Sequence, residues 1–259
     1  MQKVEGEVEI KMIVTDLDGT LLRTDKTMSE YTKNILSQCR EAGIKVVYAT
    51  GRGEGDAGMA PATLFDGRIS MNGAIARVND SIVYERLIPY RTVRQFLVSC
   101  DKRGLRITSQ VSYMHYSNFN VSDVWPWITN FETVDFLHHN KDAEKIYTFN
   151  FTPEDVQFLK DQLPDTLYMV IANDDIAMIM HKDATKGKAV SVLADYWEIN
   201  QSEIVAFGDD LNDIDLLSFA GVGVAMGNAL GKVKSKADYI CLDNDNDGVA
   251  KWLKENILL

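Results

Sequence analysis

Asp16 and Asp18 stand two positions apart in Asp16-Leu17-Asp18-Gly19-Thr20-Leu21, directly after the apolar run Lys11–Thr15. Carboxylates at the C-terminal end of a buried strand face the crevice where ligands bind in open α/β sheets, and Gly19 permits the tight turn that brings the second beside the first. One can act as a nucleophile while its neighbour moves protons, a division that needs two different environments. The plainer alternative is that Asp, Gly and Thr only form a turn; the uninterrupted apolar run into the pair weighs against it. Thr50-Gly51-Arg52 follows the next apolar run. Its hydroxyl suits a phosphoryl oxygen and Gly51 allows close backbone approach, although Thr50 as a helix cap fits the same loop. Lys186 opens a helical stretch. A cation there opposes the helix dipole, which suggests an anion to neutralise; taken without the other motifs a solvated surface lysine is the preferred reading, and Lys188 is left on the surface. Gly208-Asp209-Asp210-Leu211-Asn212-Asp213 gathers hard oxygen donors after the run Ile204–Phe207, a set suited to Mg²⁺. A polar capping turn accounts for Asp210 and Asn212 but poorly for the whole group.

Two further segments resemble sites and fail on context. Gly53-Glu54-Gly55-Asp56-Ala57-Gly58 matches the dinucleotide fingerprint, which requires an acidic residue about 20 positions on, closing a second strand. Asp80 has roughly that spacing but sits in a hairpin turn, and Glu54 and Asp56 would repel a pyrophosphate. No nicotinamide or flavin site is expected. Asp243-Asn244-Asp245-Asn246-Asp247-Gly248 begins like a calcium loop, but its twelfth position is Lys254 and no helix leads into it. A capped turn entering the last helix, Val249–Asn256, is the reading preferred.

The elements that must position these residues follow a strand–helix rhythm. Lys11–Thr15, Ile44–Ala49 and Arg68–Met71 read as strands, with a helix from the Ser29 cap to Ala42. Later come a helix over Lys186–Trp197, strands at Ile204–Phe207, Val222–Ala225 and Tyr239–Leu242, and a helix from Asp213. Continuous rather than alternating apolar strands, separated by helices, predict a parallel sheet covered on both faces. The middle differs: a hairpin across Asn79-Asp80, a helix from Pro89 to about Arg103, strands at Leu105–Thr108 and Tyr113–Tyr116, a helix over Glu154–Leu163, and a hairpin across Asn173-Asp174-Asp175. That order predicts an antiparallel α+β unit. The expected organisation is a parallel α/β domain of residues 1–82 and 183–259, with a second domain of 83–182 inserted.

Of the 259 residues, 46% are hydrophobic and 25% charged, ordinary globular values. The formal net charge of −11 excludes a phosphate-backbone binder, which needs clustered Lys and Arg. No apolar stretch approaches the ~18 residues of a spanning helix, so no membrane partner is expected. Three scattered cysteines without a CxxC and no secretory pattern predict a cytoplasmic protein.

Taken in order, Asp-Leu-Asp-Gly-Thr-Leu, Thr-Gly-Arg, Lys-Gly and Gly-Asp-Asp-Leu-Asn-Asp resemble the haloacid dehalogenase superfamily of phosphotransferases, and within it the Cof-like sugar-phosphatase branch. Ser70-Met71-Asn72-Gly73-Ala74, Met226-Gly227-Asn228-Ala229 and Asp247-Gly248-Val249-Ala250 are similar to further segments of that branch. The resemblance implies a Rossmann-like core with an inserted α/β cap and Mg²⁺-dependent hydrolysis of small phosphate monoesters. Asp16 would be the nucleophile and Asp18 the acid and then base. Thr50, Gly51, Lys186 and Asn212 would hold the phosphoryl group. Mg²⁺ would be held by Asp16, the Asp18 carbonyl and Asp209, with Asp213 as a further ligand or an anchor behind it. Arg52 and Asn72 are carried over as contacts to substrate or cap. Tyr113, His115, Tyr116, Trp125, Trp127, His138 and His139 supply the cap with rings suited to stacking on a sugar, or to packing its own core.

The partner implied is a small phosphorylated metabolite, acted on by a monomer or small homo-oligomer. Three rivals share parts of the pattern. A phosphomutase of the same superfamily would keep the phosphoryl group. A phospho-receiver module uses an acidic cluster, Mg²⁺ and a lysine but is smaller and lacks the insertion. A sugar-phosphate sensor would bind without turnover.

Overall fold

The computed structural model describes residues 9–53, 61–149, 151–172 and 176–258. The fingerprint-like segment from Glu54 to Gly58 and the turn Asn173-Asp174-Asp175 lie outside them. The chain divides into two compact units, one built from the chain up to Glu85 and from Thr185 onward, the other Arg86–Ala184.

The first unit opens with β1 (Met12–Thr15), whose four residues are all buried. Alternate strand residues point to opposite faces, so complete burial means that both faces of the sheet are covered. Helix α1 (Glu30–Glu41) follows, with the Ser29 hydroxyl accepting from the Thr32 amide at its N-terminus. Then come β2 (Lys45–Ala49), β3 (Gly67–Ser70), β4 (Ile75–Val78) and β5 (Ser81–Glu85). Asn79, in the β4–β5 turn, takes a positive φ of 53°, which asparagine tolerates. Ladder pairing carries β5 through Glu85, so the domain change expected at residue 83 falls inside a strand of the first unit.

The second unit contains α2 (Tyr90–Lys102), β6 (Arg106–Val111), β7 (Met114–Ser117), β8 (Phe131–Thr133), β9 (Lys145–Phe149), α3 (Pro153–Gln162), β10 (Leu167–Ala172) and β11 (Ile176–His181). Its sheet runs β10-β11-β9-β6-β7-β8, antiparallel except for the parallel pair β7–β8. Val93, Phe96 and Leu97 of α2 pack with Ile107, Ile146 and Ile179 in one apolar cluster. Tyr147 and Phe149 alternate with Ile146 and Thr148, so they point to the other face. There Trp125 meets them at ring distances of 5.2 and 4.7 Å, and His115 hydrogen-bonds the Tyr147 hydroxyl. These rings pack the unit's own interior, whereas Trp127 (75% accessible) and Tyr113 (55%) face outward.

The chain then re-enters the first unit with α4 (Lys186–Tyr196), β12 (Ile204–Gly208), α5 (Ile214–Phe219), β13 (Val222–Ala225), the short α6 (Gly231–Lys234), β14 (Tyr239–Ile240) and α7 (Gly248–Asn256). The sheet order is β14-β13-β12-β1-β2-β3-β4-β5. Strands β14 through β3 are parallel, while β4 and β5 add an antiparallel edge, so the sheet is mixed rather than wholly parallel. α1 packs on α7 and α4 on α5. Trp252 of α7 lies edge-on to Phe207 at 5.4 Å. No helix among the described residues is long and apolar enough to cross a membrane.

Asp247 fastens the two ends of this unit together. Its carboxylate accepts from Arg23 Nη2 (2.8 Å), Ser29 Oγ (2.8 Å) and Thr32 Oγ1 (3.2 Å). Burial pushes this carboxyl up, but Arg23 and the hydroxyls outweigh it and hold it below its ordinary 3.8. Asp247→Ala is expected to cost about 2 kcal/mol, the scale of hydrogen bonds to a charged acceptor. Because the folded value is the lower one, this stabilisation is complete above the unfolded value and fades as pH falls through the folded one. Urea midpoints at pH 7 and pH 3 should show the gap between wild type and variant closing in acid.

Candidate active site

In register, Thr15 of β1 stands beside Phe207 of β12 and Tyr48 of β2. Three parallel strands therefore end at one level, and the loops that leave them, beginning at Asp16, Thr50 and Asp209, converge on one edge of the sheet. The Asp16 amide extends the ladder, donating to Phe207 O at 3.1 Å.

The centre of the site is a buried lysine between two carboxylates. Lys186 Nζ donates to Asp16 Oδ1 at 2.5 Å and to Asp213 Oδ1 at 2.6 Å. Lys186 is 1% accessible, Asp16 6% and Asp213 0%. The surface alternative for Lys186 is thereby excluded, while Lys188 is exposed. Asp213 Oδ2 accepts from the amides of Asp209 (3.0 Å) and Asp210 (3.1 Å), so both its oxygens are engaged in shaping the loop. Asp210 caps the following turn, its Oδ1 accepting from Leu211 N. Asp209 Oδ1 accepts from Thr20 Oγ1 at 2.7 Å. Gly19 has φ +74°, and a Cβ there would run into the Asp209 carboxylate, so the turn after Asp18 needs glycine for both conformation and space.

One carboxylate oxygen from each of Asp16, Asp209 and Asp213 lies within 4.8 Å of the others. Burial pushes Asp16 up to about 8, with Asp213 and Asp209 adding to the rise and Lys186 opposing it. Asp209 is pushed up to about 6, again chiefly by burial, with Thr20 opposing and Asp213 and Asp210 reinforcing. Burial acts downward on Lys186, but the two carboxylates override it and hold its ammonium charged. Three carboxylates against one ammonium is an arrangement short of positive charge. Hard oxygen donors so placed fit a hard divalent cation.

The Thr50 loop forms the opposite wall. Thr50 is buried, and its Oγ1 accepts from Arg52 N at 3.2 Å. Asn72, at φ 54°, donates its amide to Thr50 O (2.9 Å) and accepts Asn212 Nδ2 at its Oδ1 (2.9 Å). A Cβ on Gly51 would lie 2.9 Å from that same Oδ1, which is why the loop passes there as glycine. Asn72 and Asn212 thus tie the second and fourth sequence clusters together.

Asp18 has a different environment from Asp16. Its half-buried carboxylate accepts from Arg52 Nε (2.5 Å, to Oδ2), Arg52 Nη2 (2.6 Å, to Oδ1) and Lys26 Nζ (2.7 Å, to Oδ1). Burial acts upward, but these two cations outweigh it and keep the carboxyl below its ordinary value. Two carboxylates in one turn are therefore driven in opposite directions, Asp16 toward its protonated form and Asp18 toward its ionised form in the metal-free site.

Asp16, Asp18, Thr50, Gly51, Arg52, Asn72, Lys186, Asp209, Asn212 and Asp213, the ten residues given catalytic, metal, phosphate or contact roles in the sequence, all lie in the first unit around the C-terminal ends of these strands, whereas the ring residues from Tyr113 to His139 belong to the second unit. Sequence reasoning passed over Lys26, an ordinary lysine in a polar turn, and Asp215, whose Oδ2 accepts from Gly187 N at 2.8 Å at the start of α4. Neither carries a signal beyond composition.

The model of the haloacid dehalogenase-like hydrolase family matches residues 13–253. This chain is a haloacid dehalogenase-like hydrolase. It is 31% identical over 266 residues to a 5-amino-6-(5-phospho-D-ribitylamino)uracil phosphatase of Bacillus subtilis (strain 168), covering 96% of this chain and 98% of that protein. It is 28% identical to the phosphatase YwpJ of the same organism, covering 95% and 99%. A phosphatase of the haloalkanoate superfamily from Bacteroides thetaiotaomicron superposes with a TM-score of 0.86 at 29% identity, over 97% of each chain. A subclass IIB sugar phosphatase superposes with a TM-score of 0.81 at 28% identity, over 95% and 98%. The hydrolase is accordingly a phosphatase of the Cof-like type, with a Rossmann-like core interrupted in sequence by a cap.

Proposed function

We propose that this phosphatase hydrolyses small phosphate monoesters, sugar phosphates or similar polyol phosphates, with Mg²⁺ and through an aspartyl-phosphate on Asp16. The observation that carries the reading is the buried Asp16–Lys186–Asp213 triad with Asp209 beside it. Two relatives, a phosphatase of a phosphorylated ribityl compound and a sugar phosphatase, point to the same substrate class. We place the enzyme in the cytoplasm and assign choice of the leaving group to the inserted unit.

Asp16 and Asp209 would hold Mg²⁺ with the Asp18 carbonyl, while Asp213, both of whose oxygens are already engaged, anchors the loop and Lys186. The cation supplies positive charge against the phosphoryl oxygens. Everything else falls to the protein. Lys186 fixes the Asp16 carboxylate through Oδ1 and brings a second positive charge. Thr50, the Gly51 backbone and Asn212 line the wall available to the phosphoryl oxygens, and Arg52 and Asn72 brace that wall.

In the first half-reaction an Asp16 oxygen forms a bond to phosphorus, the ester P–O bond breaks, and the departing alkoxide takes a proton from Asp18, a carboxyl that carries one only once the arriving phosphate dianion offsets the positive charge of Arg52 and Lys26. In the second, the Asp18 carboxylate takes a proton from water, whose oxygen attacks phosphorus. The Asp16–phosphorus bond breaks, releasing inorganic phosphate and restoring the carboxylate. Phosphate-monoester hydrolysis is among the slowest uncatalysed reactions. Unit charges 4 Å apart interact by about 4 kcal/mol at an effective dielectric near 20, so bringing a carboxylate to a phosphate dianion requires the positive charge gathered here.

A panel of phosphate monoesters assayed for released phosphate tests the reading. Turnover is expected with Mg²⁺ and none in EDTA, restored on adding Mg²⁺ back. Stoichiometric labelling without turnover would make the protein a receiver, and isomerised sugar phosphate a mutase; either result overturns the proposal.

A further inference from the structure

We propose that Lys26 is the positioning residue for the proton-transferring carboxylate Asp18, and that the acidic loop Asp243–Asp247 exists to hold Lys26 in place. The inference rests on the phosphatase reading and on the role given there to Asp18.

A carboxyl that must first protonate an alkoxide and then deprotonate water has to keep one orientation through both half-reactions. Asp18 is half-buried, and a rotatable side chain at such a depth needs fixed partners. Arg52 spans both its oxygens, and Lys26 adds a third contact, Nζ to Oδ1 at 2.7 Å. The lysine is a long, flexible side chain, so the contact positions Asp18 only if the backbone beneath it is rigid.

That backbone is unusually constrained. Lys26 takes φ +66°, a left-handed conformation that costs a residue with a Cβ about 1 kcal/mol or more. The turn is closed by Lys26 N to Arg23 O (2.8 Å) and Arg23 N to Thr27 O (2.9 Å). Two carboxylates from the far end of the chain then grip it. Asp245 accepts from Thr24 N and Thr24 Oγ1, both at 2.8 Å, and Asp247 accepts from Arg23 Nη2 at 2.8 Å. The segment that began like a calcium loop therefore points its Asp245 and Asp247 side chains at the turn. Asn244 joins in, donating Nδ2 to Leu22 O at 3.0 Å.

Stability alone does not account for the Lys26 contact. The Lys26 and Asp18 side chains are 45% and 35% accessible, and pairs so exposed contribute little to folding. The expected consequence of losing Lys26 is mispositioned proton transfer in a protein that still folds.

The experiment compares two substrates. The specificity constant kcat/KM covers steps only through the first irreversible one, here alcohol release, so it isolates leaving-group protonation. A hexose 6-phosphate needs that proton, whereas p-nitrophenyl phosphate leaves as a stabilised anion and needs it far less. Lys26→Met is expected to lower kcat/KM about tenfold or more on the hexose phosphate, through kcat and not KM, and less than about threefold on the nitrophenyl ester. Lys26→Arg should recover most of the loss, and the melting temperature should stay near that of the wild type. Asp245→Ala, which frees the turn and leaves Lys26 intact, should show the same substrate selectivity. Equal losses on both esters, a loss expressed in KM, or wild-type activity in Lys26→Met would each overturn the proposal. Failure of the unmutated enzyme to release phosphate from either ester would instead remove the phosphatase reading beneath it.

Discussion

Asp16→Asn is expected to lower kcat by roughly 10⁴-fold or more, the scale seen when a covalent nucleophile is removed, while the folded protein loses no stability. The first half follows from chemistry, since an amide nitrogen or oxygen in that position forms no acyl phosphate that water can clear. The second follows from where the carboxylate sits. Burial and the neighbouring Asp213 and Asp209 push Asp16 up to about 8 from an ordinary 3.8. Between those values the folded, metal-free protein holds a proton that the unfolded chain releases, so this group erodes stability progressively as pH rises from about 4 to 8. Asparagine has nearly the same shape and no such liability, and Lys186 keeps Asp213 at 2.6 Å. Thermal melts in EDTA at pH 5 and pH 8 should show Asp16→Asn gaining on the wild type as pH rises. Retained turnover in the variant would remove Asp16 from the nucleophile's role, and a variant that unfolds would contradict the electrostatic account of the site.

The same tension explains why part of the site was legible beforehand and part was not. Asp16, Thr50 and Asp209 each stand where a continuous apolar run stops, and in a parallel sheet those stops fall on one edge, so spacing along the chain translates into proximity. Lys186 carried a second signal, a cation at a helix N-terminus against the dipole. Lys26 had no such mark. Its meaning comes from Asp18, eight residues away, and from the bond of neighbouring Thr24 N to Asp245, which spans 221 positions, and no local pattern encodes either.

Among the elements, the strands of the parallel sheet were readable because they are apolar on both faces. β8 has three residues and β9 five, and both escaped the sequence reading. β9 alternates Ile146 toward the helices with Tyr147 toward the other face, so its burial depends on the Trp125 segment folding over it. The β4–β5 hairpin was visible from its Asn79-Asp80 turn, but its membership in the first sheet is decided by the antiparallel pairing of β4 with β3, Ser70 opposite Ile75 and Gly67 opposite Val78, a second turn the sequence reading passed over.

Lys186→Met is expected to damage both activity and stability, and the two effects respond differently to metal. Removing one charge contact to the transferring phosphoryl group costs about 10² to 10³ in kcat. The structural effect is larger than for a surface lysine, because Asp213 at 0% and Asp16 at 6% accessibility would lose the cation that lies 2.6 and 2.5 Å away. Stranding buried carboxylates in this way costs about 3–5 kcal/mol. The folded variant would relieve part of this by protonating Asp16, which burial already pushes up to about 8 with the lysine present, so its deficit should be smallest in acid and grow as pH rises toward neutrality. Mg²⁺ bound at Asp16 and Asp209 would replace some of the missing positive charge, so metal should raise the melting temperature of the variant more than that of the wild type. It cannot restore turnover, because a cation held by those carboxylates does not occupy the ammonium's place between Asp16 and Asp213. Lys186→Arg should not rescue either property, since a planar guanidinium is too bulky for a fully buried site whose two contacts are already at their shortest. Equal melting shifts on adding Mg²⁺ to wild type and Lys186→Met would show that metal and lysine do not share the same carboxylates, and would break the link between the buried triad and the divalent site.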